Sequence, residues 1–113
     1  MNQHLKKFVD LKFNMTGRAL DLGAGEFLDV IGLKKLGWEA EGVDIKTGID
    51  LEKPYFSANA PFDLVYSNYL LHKLKDKARL VKTAYDNLRN GGWLFVHTFD
   101  SSDFNSKSDI TAE

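Results

Sequence analysis

Two carboxylates flank a glycine turn near the start of the chain, and this arrangement could bind a ligand. The sequence there is Asp-Leu-Gly-Ala-Gly-Glu over residues 21–26. The glycines allow a tight turn and a close approach of the backbone to a bound molecule. A pyrophosphate prefers bare amides and positive potential, so Asp21 and Glu26 disfavour it. The turn is therefore better suited to a ligand that carries positive charge.

A third carboxylate, Asp44, lies about twenty residues beyond the turn, where acids of nucleotide-binding folds accept hydrogen bonds from ribose hydroxyls. The dinucleotide fingerprint G-x-G-x-x-G is incomplete, because Leu28 stands at the third glycine position. The phosphate loop G-x-x-x-x-G-K-[ST] is absent from the sequence as well. An adenosyl ligand with positive charge therefore fits these residues better than a nicotinamide dinucleotide or ATP.

Alternating strands and helices must position these residues. Apolar runs predict strands over residues 18–22, 39–45, 48–51, 62–67 and 93–98, the third of them very short. Helical spacing predicts helices over residues 3–13, 26–36 and 70–89, with Gly37 ending the second. This order predicts an α/β fold: a three-layer sandwich with a mainly parallel sheet of about five strands. Ligands of such sheets bind at the carboxyl ends of the strands.

The composition indicates one soluble domain. The chain has 113 residues, of which 43% are hydrophobic, and this is enough to bury a core. A net charge of -1 does not indicate nucleic acid as a partner. The absence of cysteine excludes disulfides and thiol nucleophiles, and the three histidines are too widely spread for a local metal motif. Without an apolar run long enough to span a membrane, or a signal peptide, we expect a cytoplasmic protein with no membrane association.

The order of these motifs resembles the core of a class I S-adenosylmethionine-dependent methyltransferase, over roughly residues 15–100. The segment 21–25 resembles the first motif of that family, D/E-x-G-x-G, and Val43-Asp44 resembles the second. Further similar segments are Asp50-Leu51, residues 62–68 at the fourth strand, residues 70–74 after it, and residues 88–94 at the start of the fifth strand. The resemblance implies a Rossmann-like fold and S-adenosyl-L-methionine as the cofactor.

The resemblance also implies which residues bind the cofactor. It assigns Asp21 to the amino end of the ligand and Asp44 to the ribose. The full predicted set is Asp21, Gly23, Ala24, Gly25, Asp44, Ile45, Asp50, Leu51, Ser67 and Asn68. Asp50 could equally cap a turn over residues 51–53.

One histidine is a weak candidate for the reaction itself. His72 falls early in the predicted third helix and could accept a proton from the substrate, because the ordinary pKa of histidine is near neutrality. The plainer interpretation is a helix residue that packs against a loop. Lysines and an arginine crowd the same helix, and a solvated face is the simpler explanation for them than a nucleic-acid patch.

The sequence departs from the family pattern in three ways. Only 17 residues separate Asp44 from Phe62, so the second helix and the third strand of the family pattern are abbreviated. Phe27 stands where the family usually has its third glycine, so its ring either crowds the methionine part of the ligand or turns into the core. The predicted sheet also lacks the usual sixth and seventh strands, so the chain is a fragment or another subunit supplies them. An uncovered edge strand with Trp93, Phe95 and Phe99 favours a homodimer. We assign residues 1–100 to a single domain and residues 101–113 to a polar C-terminal tail.

These observations predict an S-adenosylmethionine-dependent methyltransferase that acts by in-line displacement on an unknown methyl acceptor. The alternative is a non-catalytic S-adenosylmethionine-binding domain, or a degenerate methyltransferase-like domain that serves as an interaction subunit. A nucleotide-binding oxidoreductase is disfavoured by the incomplete fingerprint and by the acidic glycine turn.

Overall fold

The computed structural model describes residues 1–68, 70, 73–97 and 104–107, and it contains one sheet of five strands. The strands are β1 (Arg18–Leu22), β2 (Glu39–Val43), β3 (Phe62–Asn68), β4 (Leu88–His97) and β5 (Phe104–Lys107), in the spatial order β2-β1-β3-β4-β5. The first four strands are parallel, and β5 runs antiparallel to β4. The helices are α1 (Gln3–Lys12), α2 (Leu28–Lys35) and α3 (Lys77–Asn87), with a 3-10 turn at Ile45–Thr47. The predicted α/β fold with a mainly parallel sheet is confirmed.

Alternating side chains of the strands bury both faces of the sheet. On one face, Leu5 and Phe8 of α1 and Leu33 of α2 pack against the strands. On the other face, Leu80 and Ala84 of α3 pack against the strands. Burial of each large apolar side chain contributes about 1.5–3 kcal/mol. The sandwich therefore has three layers, and the carboxyl ends of the parallel strands remain available for a site.

Local capping sets the helix ends. Asn2 caps α1, because its side-chain oxygen accepts a hydrogen bond from Leu5 N at 3.0 Å. Gly37 follows Leu36, the C-terminal cap residue of α2, and has a φ of 96°, the left-handed conformation that favours glycine. The prediction that Gly37 ends this helix is therefore confirmed.

The third helix begins later than the sequence predicts. We predicted a helix from residue 70, whereas α3 begins at Lys77. Asp76 caps it by accepting a hydrogen bond from Arg79 N at 3.1 Å. The Glu52 carboxylate accepts hydrogen bonds from the amides of Lys75 and Asp76, so these amides are used outside the helix. The contact with Glu52 therefore prevents a helix at Lys75 and Asp76, although the apolar spacing from residue 70 predicts one.

The very short strand predicted over residues 48–51 is wrong, because this segment pairs with no other strand. Gly48 ends the 3-10 turn with a φ of 93°. Asp50 then opens a turn, since its Oδ1 accepts a hydrogen bond from Glu52 N at 2.9 Å. Side-chain capping therefore satisfies the backbone here in place of a strand ladder.

The last two strands also differ from the prediction. β4 begins at Leu88 rather than Trp93, with an irregular register to β3 near its start. We placed no strand after residue 98, whereas β5 pairs with Trp93–Val96 of β4. The backbone N–H and C=O groups at the edge of β4 can pair with another strand whatever side chains that strand carries. A polar segment such as residues 104–107 can therefore form β5. A domain boundary at residue 100 remains a prediction. Within the described ranges, no helix is long and apolar enough to cross a membrane.

Candidate functional site

A cleft of about 460 Å³ opens at the carboxyl ends of β1 and β3. Its walls come from the N-terminal segment, the glycine turn, the first turn of α2 and the last residue of β3. The lining residues are Met1, Asn2, Asp21, Gly23, Ala24, Gly25, Glu26, Leu28, Asp29 and Asn68. The structure therefore brings together Asp21, the three residues of the glycine turn and Asn68 from the predicted set.

The glycine turn forms one wall of this cleft. The amides of Gly23 and Ala24 both donate to the Val43 carbonyl, at 2.8 and 2.9 Å, so the turn is anchored on the end of β2. Gly25 has a φ of 57°, and a Cβ added there would meet no atom within 4 Å. The backbone at Gly25 therefore faces open space that a ligand can approach closely.

Phe27 does not obstruct the cleft. It precedes α2 with a φ of 64°, which is unusual for an aromatic residue. Its ring packs against the core cluster shared by α1 and α2, and a Cβ built on Gly42 would lie 3.1 Å from it. Of the two alternatives that the sequence allowed, the structure shows the ring turned into the core.

Asp21 is the most deeply buried acid in the cleft, with 2% of its surface exposed. Burial raises the pKa of its carboxyl well above the usual range, and the negative charge of Asp29 raises it further. An interaction with the Tyr66 hydroxyl opposes these effects, although it falls short of strict hydrogen-bond geometry. Burial and the charge of Asp21 also raise the pKa of Tyr66. A cation in the cleft would favour ionisation of Asp21.

A second acid, Asp29, was missed by the sequence analysis. Its Oδ1 accepts a hydrogen bond from Asn2 N at 2.7 Å, and its Oδ2 accepts one from Asn68 Nδ2 at 2.8 Å. Asn2 Nδ2 also lies 3.3 Å from His97 Nδ1 at the end of β4. The sequence signal was an acid in the first turn of a helix, which by itself indicates only a favourable charge interaction with the helix.

Asp44 lies beside the cleft and connects the glycine turn to the 3-10 turn that follows β2 through hydrogen bonds. Its Oδ1 accepts a hydrogen bond from Gly25 N at 3.1 Å, and its Oδ2 accepts one from Lys46 N at 3.0 Å. Lys46 reaches back to Glu26 in an exposed ion pair at 2.9 Å. Each carboxylate oxygen can accept more than one hydrogen bond, so Asp44 retains the capacity to bind a ligand hydroxyl.

The remaining predicted residues do not line the cleft. Ile45 is 68% exposed, whereas Leu51 is buried in the core. Ser67 is fully buried, and its hydroxyl donates to the Leu22 carbonyl at 2.8 Å. Asp50 makes the turn-capping hydrogen bond that was its alternative role.

Two further points concern catalysis and metals. His72 lies outside the described residues. Within the part of the chain that the structure describes, no cluster of three or more His, Cys, Asp or Glu residues is arranged to hold a metal ion.

Comparisons with known proteins agree with this geometry. Among curated proteins, the chain is 38% identical over 45 residues to methyltransferase pytC of Aspergillus terreus, which covers 40% of this chain and 14% of that protein. An S-adenosylmethionine-dependent methyltransferase from Mesorhizobium loti superposes with a TM-score of 0.67 at 24% identity, covering 81% of this chain and 52% of that one. The sugar N-methyltransferase KedS8 from Streptoalloteichus superposes with a TM-score of 0.71 at 18% identity. This match covers 86% of this chain and 47% of that one.

The matched part of the chain thus covers about half the length of these solved structures and about a seventh of the length of pytC. The structural likeness shows the fold, and a family model adds the sequence relationship. That model, described as a methyltransferase domain, matches residues 2–112. A glycine turn with an acid on each side, a strand-end acid beside it and this match over nearly the whole chain together place the protein in the methyltransferase domain family.

Proposed function

We propose that the protein is an S-adenosyl-L-methionine-dependent methyltransferase that acts on a methyl acceptor still to be identified. The observation that carries the proposal is the buried Asp21 carboxyl beside the open backbone of Gly25. The charged side chains that line the described cleft are all acidic: Asp21, Glu26 and Asp29. A sulfonium cofactor is a cation, and this lining attracts cations.

The residues present fit such a cofactor. We assign Asp21 to the positive charge of the amino-acid end, and the free lone pairs of Asp44 to the ribose hydroxyls. Ile45 offers an exposed apolar side chain for the adenine, and Asp50 and Leu51 follow it on the same loop. Gly25 permits close approach of the backbone, and Ser67 and Asn68 contribute their carbonyl groups at the end of β3. When bound, the cofactor supplies a methyl group activated by the sulfonium.

The protein's part in the reaction is mainly alignment. In-line displacement requires the nucleophile, the methyl carbon and the sulfur to be held at near-attack distance. The acidic cleft would orient the cofactor, and Leu28 and Asn2 line the same cleft. A general base is needed only when the acceptor binds in its protonated form. His72 remains our candidate for that role.

Calorimetric titration with S-adenosylmethionine and S-adenosylhomocysteine tests the proposal. We expect dissociation constants in the micromolar range, and we expect Asp44→Ala to weaken binding at least tenfold because it removes the ribose acceptor. Asp10→Asn is the matched control, since Asp10 is an exposed acid on α1 that pairs with Lys6. A thermal melt of Asp44→Ala shows whether the variant stays folded.

The results separate the alternatives. No binding by the parent chain at millimolar ligand would contradict the proposal and favour a degenerate interaction domain. Binding without turnover across a panel of amine and hydroxyl acceptors would favour a non-catalytic cofactor-binding domain.

We also propose a cytoplasmic location and a homodimer. The lack of cysteine is consistent with a reducing compartment. Phe95 is buried and the Trp93 ring packs against Phe8, so both rings make contacts within the chain, and Phe99 lies outside the described residues. Support now comes from β2 and β5, the outer strands of the sheet, each of which pairs with a single described strand. Light scattering during gel filtration gives the mass in solution, and a monomer would contradict the dimer.

A further inference from the structure

The cleft contains a buried acceptor atom that no described residue uses. Asn68 Oδ1 is shielded from solvent and has no hydrogen-bond partner in the described part of the chain. Native proteins satisfy the large majority of their buried polar atoms, so an exception calls for an explanation. Asn68 lines the cleft, so a ligand that reaches this oxygen from the cleft would supply the missing donor.

Asp29 fixes the direction in which this oxygen points. Asp29 Oδ2 accepts a hydrogen bond from Asn68 Nδ2 at 2.8 Å. An ionised carboxylate only accepts hydrogen bonds, so the amide nitrogen must face Asp29 and the amide oxygen must face away. Asp29 is itself held in place by the backbone amide of Asn2, at 2.7 Å. All three residues line the same cleft.

The chemistry of this wall defines the partner. An amide oxygen accepts hydrogen bonds, so the ligand group must be a donor. The lining includes three carboxylates and, among the described residues, no lysine, arginine or histidine. A cationic donor is therefore favoured, and an ammonium group is the donor of this kind that an amino acid carries.

We propose that Asp29 is a positioning residue that turns Asn68 Oδ1 towards the ammonium group of an S-adenosyl ligand. Asn2 holds Asp29 in this arrangement through its backbone amide. The inference rests on the proposed function. It adds side-chain roles for Asn68 and Asp29 to the backbone contacts and the Asp21 contact of that proposal.

Two ligands that differ in the amino-acid end test this role. S-adenosylhomocysteine carries the ammonium group, whereas 5′-methylthioadenosine lacks the amino-acid portion and keeps the adenosine. We expect Asp29→Asn and Asn68→Ala each to weaken S-adenosylhomocysteine binding roughly tenfold or more, the size of a hydrogen bond to a charged group. Binding of 5′-methylthioadenosine should change by less than about twofold, because no hydrogen bond to the adenosine is lost.

A double variant distinguishes positioning from an independent contact. In Asp29→Asn the new amide can donate to Asn68 Oδ1, so the Asn68 amide turns over and presents its nitrogen to the ammonium. The double variant Asp29→Asn with Asn68→Ala should therefore bind S-adenosylhomocysteine no more weakly than Asn68→Ala alone. Asp10→Asn removes an exposed charge on α1 outside the cleft, and we expect it to change the affinity for either ligand by less than about twofold.

The outcomes separate this inference from the proposed function. Equal losses for both ligands, an unchanged S-adenosylhomocysteine affinity or additive effects in the double variant would each overturn the positioning role. If the parent chain binds neither ligand, the proposed function fails as well. Asp29→Asn is nearly isosteric, so it carries the test even if Asn68→Ala does not fold, and thermal melts establish which variants are folded.

Discussion

Asp21 on β1 and Tyr66 on β3 are cross-strand partners, and both side chains are almost fully buried. Burial raises the pKa of each group, and each interacts with the other. A carboxyl in this position is costly to ionise in the folded protein. The fold therefore places an acid with a raised pKa in its candidate cofactor cleft, where a bound cation would favour the ionised form.

The first prediction concerns stability. Asp21→Asn should raise the free energy of unfolding at neutral pH, because burial and the charge of Asp29 make the Asp21 carboxyl costly to ionise and a neutral amide avoids that cost. A raised folded pKa means that the folded state holds its proton while the unfolded carboxyl has already lost it. The parent protein therefore loses stability as pH rises from the unfolded pKa through the folded pKa.

Urea unfolding of both proteins at a series of pH values, from below the ordinary aspartate pKa to above neutrality, measures the effect. The stability gap between Asp21→Asn and the parent should widen as pH rises and then level off. Asp10→Asn, on the exposed surface of α1, is the comparison protein. A gap that does not depend on pH would show that Asp21 titrates like an ordinary aspartate.

The second prediction is that cofactor binding releases protons. A cation beside Asp21 favours the ionised carboxylate, so binding lowers its pKa and expels a proton at pH values below the raised folded pKa. Affinity for S-adenosylhomocysteine should therefore increase with pH in that range. Calorimetry in buffers of different ionisation enthalpy counts the protons. Asp21→Asn should bind more weakly and with less proton release, and equal proton release by both proteins would assign the proton to another group.

The third prediction compares two glycines. A Cβ on Gly42 would lie 2.6 Å from the Ala24 Cβ and 3.0 Å from Val30, so Gly42→Ala should cost about 1–3 kcal/mol in stability. A Cβ on Gly25 meets open space, so Gly25→Ala should cost only the strain of its positive φ, about 1–2 kcal/mol. It should nevertheless weaken S-adenosylhomocysteine binding, because the methyl group occupies the ligand's approach. Unchanged binding by Gly25→Ala would show that no ligand contacts this turn.

The fourth prediction concerns the buried side-chain amide of Asn87, the last residue of α3. Asn87 accepts a hydrogen bond from Ser57 N at 2.8 Å and donates to the carbonyls of Tyr55 and Thr83. Asn87→Ala leaves the buried Ser57 amide without a partner and should lower stability by about 2–3 kcal/mol. Asn14→Ala, at an exposed position, should change stability by less than about 0.5 kcal/mol. Equal melting temperatures for the two variants would contradict the role given to Asn87.

Sequence patterns predicted those elements whose causes are local. β1 has the predicted bounds, since four of its five residues are buried and the glycine turn follows directly. The start of α3 could not be predicted, because Glu52 binds the amides of Lys75 and Asp76 from a distant loop. β5 was missed because its pairing with β4 depends on backbone groups rather than on an apolar pattern.

The same distinction applies to the cleft. The glycine turn and Asp21 are close together in the sequence, so the motif that they form was enough to predict a ligand-binding site. The contacts of Asp29 join residues 27 and 39 positions apart, and no local spacing reveals them. Phe27 shows the limit of a motif, since the departure from glycine changes the backbone strain and the core packing but leaves the cleft open.

The antiparallel direction of β5 has a practical consequence. The four parallel strands all finish at the edge that holds the cleft, whereas β5 runs back towards the opposite edge. A purification tag or a fluorophore joined after Lys107 would thus start its path on the far side of the sheet. An attachment at the other end would begin beside Met1 and Asn2, within the wall of the cleft. Attachment directly after Lys107 is therefore the better choice for ligand titrations.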